Sequence, residues 1–232
     1  MARIHIVTEG PTEKNFVDDV LKDYFAKKGI YVDAHSITTR RDRRKNRVYR
    51  GGLDNIEHLL KDIKLWLLES QEQYDCWVTT MVDLYGFPYH DKPDWMIGLE
   101  SQHDGLYKVL YLENKLKEEF VSFPRFIPYI QLHEYEALLL VDTASIHSAF
   151  INLYNANTLS KLNADITGLN PEDVNQGQHS SPSKRIIKHY PIYDDDKPVW
   201  GSLIAQDIGI EAMRKTCPHF NDWLQKLERI LE

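Results

Sequence analysis

Hydrophobic positions fall into two alternating periods over the first 141 residues. Ile4, Ile6 and Val7 mark a short strand over Arg3–Thr8. From Thr12 to Lys28, Phe16, Val17, Val20, Leu21, Tyr24 and Phe25 recur at helical spacing, and Gly29 ends the run. A second alternating stretch over Ile30–Ile37 predicts a strand. Beyond Gly51-Gly52, Ile56, Leu59, Leu60, Ile63 and Leu67 share one helical face. Asp75 to Val82 is almost continuously apolar, as expected of a strand covered on both sides. A polar, proline-containing loop is predicted over Asp83–Asp94. Leu106, Val109, Leu110, Leu112 and Leu116 then predict a helix, and Phe126–Leu132 a fourth strand. Pro128 cannot donate to a ladder, so pairing there is expected to begin at Tyr129.

This succession predicts an α/β fold with a mainly parallel four-stranded sheet flanked by helices. Strand signals stop after Val141. We therefore expect an α/β core over 1–141 and a mostly helical C-terminal subdomain over 142–232, packed on the core. Asn163–Ser183, rich in Asn, Gly, Ser, Pro and Gln, reads as irregular, whereas Pro218–Leu231 has a well-defined apolar helical face.

Charge changes the picture locally. The 232 residues carry a net charge of −7, yet seven basic residues stand between Arg40 and Arg50 against the single Asp42. Arg41, Arg43, Arg44, Lys45 and Arg47 are thus candidates for holding a polyanion, with a solvated basic loop as the simpler alternative. Two cysteines exclude a disulfide framework or a four-cysteine zinc site. No apolar run approaches the ~18 residues of a membrane span. A cytoplasmic, reduced protein that does not enter a membrane is expected.

Chemistry gathers where the strands end. In open parallel sheets, ligands bind beyond the carboxyl ends of strands. There the chain places Glu9 and Glu13 after strand one, Asp83 after strand three, and His133, Glu134 and Glu136 after strand four. Clustered carboxylates raise one another's pKa unless a cation neutralises them, and hard divalent ions take oxygen ligands. Glu9, Asp83, Glu134 and Glu136 are therefore candidate ligands for Mg²⁺ or Mn²⁺. Glu13 also suits the first turn of a helix capped by Thr12. Ser183, Lys184 and Arg185, at a helix start, form a candidate phosphate site. Asp194-Asp195-Asp196 reads as a solvated turn with Lys197 as its salt-bridge partner.

Val7-Thr8-Glu9-Gly10-Pro11-Thr12-Glu13 resembles the glutamate motif of Toprim domains, the catalytic module of topoisomerases, primases and overcoming-lysogenisation-defect nucleases. Together with Thr79–Pro88, Gln131–Leu139, Ser181–Arg185 and Cys217–Trp223, it is similar to a bacterial Toprim-like family, domain of unknown function 4276. The resemblance implies a Toprim-type, metal-dependent nuclease acting on DNA or RNA. Glu9 would be metal ligand, Glu13 general base or second-metal ligand, and Asp83 the first aspartate of an Asp-x-Asp motif. Lys184 and Arg185 would neutralise developing charge. Position 85 is Tyr, where that motif has its second aspartate. The resemblance also implies an ABC-type ATPase partner and antiviral defence. A non-catalytic nucleic-acid- or nucleotide-binding subunit and a phosphotransferase are the competing expectations.

Overall fold

Strand β1 (Arg3–Thr8) is buried at every position after Arg3, the mark of a strand with both faces covered. The computed structural model describes residues 2–42, 47–50, 53, 55–71, 75–102, 104–174 and 180–231, with backbone alone at 38–42 and 47–50. After β1, helix α1 (Pro11–Phe16) passes through a π-helical turn, Val17–Leu21, into α2 (Lys22–Ala26). Strand β2 (Tyr31–Ser36) then pairs in parallel with β1.

The basic segment departs from the expected loop. It forms an antiparallel ribbon of β3 (Thr38–Asp42) and β4 (Arg47–Arg50), with Arg41 opposite Val48 and Asp42 opposite Arg47. Threonines, Val48 and Tyr49 favour extended backbone despite the charge. Arg43, Arg44 and Lys45 lie outside the described residues.

Helix α3 (Ile56–Gln71) leads to β5 (Cys76–Asp83), so Asp83 is the last residue of a strand rather than the first of a loop. The predicted loop also gives way to helix α4 (Pro93–Glu100), which buries Trp95 and Leu99 and precedes α5 (Gly105–Glu119).

The fourth strand is broken in two. Segments β6 (Phe126–Ile127) and β7 (Ile130–Gln131) both pair with β5 in one continuous register, and the break falls at Pro128-Tyr129. Thr80 fills it. Its hydroxyl accepts the Tyr129 N–H and donates to the Tyr129 carbonyl, each at 2.8 Å. The main sheet is parallel throughout, in the order β2-β1-β5-β6, with β7 continuing on β5.

Helices α6 (Thr143–Ala149), α7 (Ala156–Ile166), α8 (Pro182–His189), α9 (Lys197–Ile208), α10 (Ile210–Thr216) and α11 (Pro218–Glu228) complete the chain. The first residues of the segment expected to be irregular, Asn163–Ile166, are thus helical.

Two apolar layers enclose the sheet. Ile4, Ile6 and Met81 face Phe16, Leu21 and the C-terminal residues Tyr193, Met213, Phe220 and Leu224. Val7, Val78 and Val82 face α3, α4 and α5 through Leu59, Ile63, Trp95 and Leu112. At about 1.5–3 kcal/mol for each large apolar side chain fully buried, these layers are the main source of stability. The C-terminal helices thus share a core with the first strand. Approach is tight at Gly201 of α9, where a Cβ would stand 3.0 Å from the Tyr135 ring and 3.5 Å from Thr12.

Candidate metal centre

The end of β1 is pinned before its chemistry begins. Thr8 and Ser36 hydroxyls both donate to the Gly10 carbonyl, at 3.3 and 3.0 Å, fixing the Glu-Gly turn between the two strand ends. Gly10, not Thr12, is the N-cap of α1, and Glu13 accepts the Gly10 N–H at 2.8 Å. Glu13 is therefore the acidic half of a capping-box arrangement and is buried as well. Beside it, Glu9 accepts the Asp83 N–H at 3.2 Å and the Leu53 N–H at 3.5 Å.

Glu134 and Glu136 follow β7, at the same edge. His133, just before them, adopts φ 62°, the one non-glycine residue with positive φ among those described. This sparsely populated conformation turns the chain sharply as it leaves the sheet. Glu134 accepts the Ser183 N–H at 2.9 Å, docking the start of α8 against the cluster. Glu136 is buried and accepts the Tyr193 hydroxyl at 3.1 Å.

These five carboxyl groups share one electrostatic field. Burial pushes Asp83 well above the usual carboxylate range, reinforced by the charges of Glu13, Glu9, Glu136 and Glu134. Glu13 is pushed up to about 8 by burial and then by Glu9. Glu136 is raised to about 7 by burial and then by Glu134, against the pull of Lys197. Burial also raises Glu9, although its two N–H partners favour the charged form. Among the described residues, no lysine or arginine forms an ion pair with any of the five.

Asp83 Oδ1 is the telling atom. It is buried and has no hydrogen-bond partner among the described residues, a costly state for a carboxyl oxygen. An all-oxygen set with one orphaned oxygen suits a hard divalent cation. Among the described residues, no three acidic, histidine or cysteine side chains are drawn close enough to form a finished cage. The carboxyl groups are thus coupled through their charges without standing together at coordination distance. Glu9, Glu13, Glu134 and Glu136 each have an oxygen on a protein donor, and mutual repulsion opposes closer approach.

The candidate phosphate site is only partly assembled. Arg185 is 9% exposed, and its guanidinium donates to the main-chain carbonyls of Ser180 and Asp165. It is thus a strut between α7 and α8 rather than an anion ligand. The Ser183 N–H is taken by Glu134, and the buried Ser183 hydroxyl faces that of Ser181 at 3.5 Å. Lys184 is exposed. Lys197 pairs with Asp194 at 3.3 Å, as the sequence predicts.

Sequence reasoning passed over the space beside the cluster. A cavity of about 630 Å³ opens next to Glu9, lined among others by Leu53, Tyr85, Gly86, Tyr89, Lys108 and His133. Its only sequence signal was the Gly and aromatic composition of Leu84–His90. Cys76 and Cys217 are buried and unbridged. Among the described residues, no helix is long and apolar enough to cross a membrane.

The fold is that of the C-terminal region of the Burkholderia pseudomallei OLD protein, with a TM-score of 0.50, 16% identity and full coverage of both chains. The corresponding region of the Xanthomonas campestris pv. campestris OLD protein gives a TM-score of 0.42 at 13% identity over 96% of each chain. No curated protein matches the sequence. The sheet, flanking helices and C-terminal helices thus form a Toprim-like α/β fold. A family model matches residues 8–228, from the last residue of β1 to the end of α11, and the chain belongs to the family described as Domain of unknown function (DUF4276).

Proposed function

We propose that the protein is a Mg²⁺- or Mn²⁺-dependent phosphodiester hydrolase acting on DNA or RNA. The observation that carries this reading is the orphaned Asp83 Oδ1 within the field of four glutamates and no paired cation. Glu9 and Asp83 would hold the metal, with Glu134 and Glu136 as further oxygen donors. A metal bound there supplies Lewis-acid polarisation of a phosphoryl oxygen and a more acidic water. Glu13, raised to about 8 by burial and by Glu9, would serve as general base once a neighbouring cation lowers it into the carboxylate form, or as a second-metal ligand. Lys184, exposed beside Ser183, is available to offset charge on the phosphate.

Tyr85 supports a second reading, a nucleic-acid- or nucleotide-binding subunit without cleavage, because it stands where the resemblance expects another carboxylate. An ATPase partner and a role in defence rest on the resemblance alone and are part of this proposal.

End-labelled single- and double-stranded DNA and RNA, incubated with Mg²⁺ or Mn²⁺, should be cut. Cutting should stop with chelator and in Glu9→Ala and Asp83→Ala, while both variants keep wild-type circular dichroism. Chelator-insensitive cutting, or full activity in both variants, would overturn the hydrolase. Metal-independent binding without cutting would favour the second reading.

A further inference from the structure

The cavity beside Glu9 has a composition of its own. Tyr85, 49% exposed, stands at its mouth, and the rings of Tyr89 and His90 stack on one another at 4.1 Å along its wall. Lys108 reaches it from α5. Lys108 forms no ion pair among the described residues. Asp104, also in the lining, is engaged in capping α5 through the Tyr107 N–H at 2.9 Å. Aromatic faces beside a lysine that makes no ion pair among the described residues suit a flat, π-faced ligand that bears an anion.

Glycines keep two walls thin. A Cβ on Gly86 would stand 3.3 Å from Glu9 Oε1, and one on Gly105 would stand 3.1 Å from the His133 ring. Bare backbone at Gly86 therefore separates the cavity from Glu9, a proposed metal ligand. The volume of about 630 Å³ is within the usual range for small-molecule sites, ~300–1,000 Å³, and accommodates a nucleotide.

We propose that this cavity receives one unpaired nucleotide of the substrate strand, with its base stacked on Tyr85 and its phosphate toward Lys108. This deepens the hydrolase reading and rests on it. The consequence is a substrate class. A base within an intact duplex is stacked on its neighbours and cannot enter without leaving the helix. The protein therefore acts on single-stranded or locally opened nucleic acid.

The test is binding, measured in chelator so that cleavage plays no part. Fluorescence anisotropy would follow labelled (dT)12, (U)12 and a dumbbell duplex whose ends are closed by hexaethylene-glycol linkers, so that it holds no unpaired nucleotide. Tyr85→Ala should weaken binding of the single strands by about 5- to 150-fold, the loss of one base stack. Tyr85→Phe, which keeps the ring, should bind as wild type, and dumbbell binding should not change. An abasic residue moved along (dT)12 should reveal one position that weakens wild type and adds nothing to Tyr85→Ala. Unchanged single-strand binding, or an equal loss on the dumbbell, would overturn the proposal. Because no metal is present, these outcomes are independent of whether Glu9→Ala and Asp83→Ala abolish cutting.

Discussion

The Glu9 carboxylate accepts the backbone N–H of Asp83 at 3.2 Å, tying the residue after β1 to the last residue of β5. Removing the charge and removing the hydrogen bond are therefore different experiments. Glu9→Gln keeps an amide oxygen for the Asp83 N–H and loses the charge, whereas Glu9→Ala loses both. We expect both to reduce metal-dependent cleavage by more than about 100-fold, beyond the range typical of outer-shell changes. Only Glu9→Ala should lose stability, by about 1–3 kcal/mol for the Asp83 N–H left without its partner. Urea denaturation in chelator separates the two; equal stability of both variants would show that the bond is dispensable.

Without metal, the carboxyl cluster makes stability depend on pH. Glu13 titrates near 8 and Glu136 near 7 in the folded chain, against ordinary values of 4.5. The folded state thus binds more protons than the unfolded chain between these limits. Their stabilising protonated forms are fully present below about 4.5 and are lost as pH rises through 7 and 8. In chelator, Tm should fall between pH 5.5 and 8, by about 2–4 °C for each kcal/mol at this chain length. Glu13→Gln, whose amide oxygen can still accept from Gly10, should flatten that fall. Mn²⁺ should raise Tm more at pH 8 than at pH 5.5, because ligands must be deprotonated to bind. A wild-type Tm that climbs towards pH 8 in chelator would contradict the burial argument.

Thr80 makes a separate structural prediction. Its hydroxyl satisfies both backbone groups of Tyr129 at the break that Pro128 imposes. Thr80→Val has nearly the same shape but leaves a buried N–H and a buried carbonyl unpaired, and should cost about 2–5 kcal/mol in urea denaturation. Thr80→Ser should restore most of it. Equal costs for the two would assign the effect to packing rather than to hydrogen bonding.

The repeating apolar pattern made the sheet and most helices legible because each strand alternates or runs continuously apolar for a physical reason, burial on one face or both. Glu9 and Asp83 were legible for the same reason: each stands at the end of such a run, and parallel strands end at one edge. Helix α4 was missed although Pro93 at its start and Trp95 and Leu99 one turn apart were visible; the prolines and charges around them read as loop. The fate of Arg185 was not legible. Of its carbonyl partners, Ser180 is local but Asp165 is brought to it only by the packing of α7 on α8, and a helix start with adjacent cations looks the same whether those cations face solvent or main chain. The cavity likewise depends on the turn after β5 and the start of α5 meeting Leu53 and His133, which lie far from them in sequence.

Arg185 and the basic ribbon should therefore separate in their effects on nucleic-acid binding. The buried guanidinium holds two carbonyls, so Arg185→Ala leaves both without partners and should cost about 2–4 kcal/mol of stability. It should not alter the salt dependence of binding, because that guanidinium neutralises no phosphate. The triple variant Arg43→Ala, Arg44→Ala, Lys45→Ala tests the basic segment in the same titration. Its salt slope on duplex DNA should become shallower by up to about 0.9 log units for each phosphate that is no longer neutralised. Titrations of labelled DNA at several salt concentrations measure both. A shallower slope in Arg185→Ala would return that residue to the phosphate site, and an unchanged slope in the triple variant would release Arg43, Arg44 and Lys45 from any role in holding the strand.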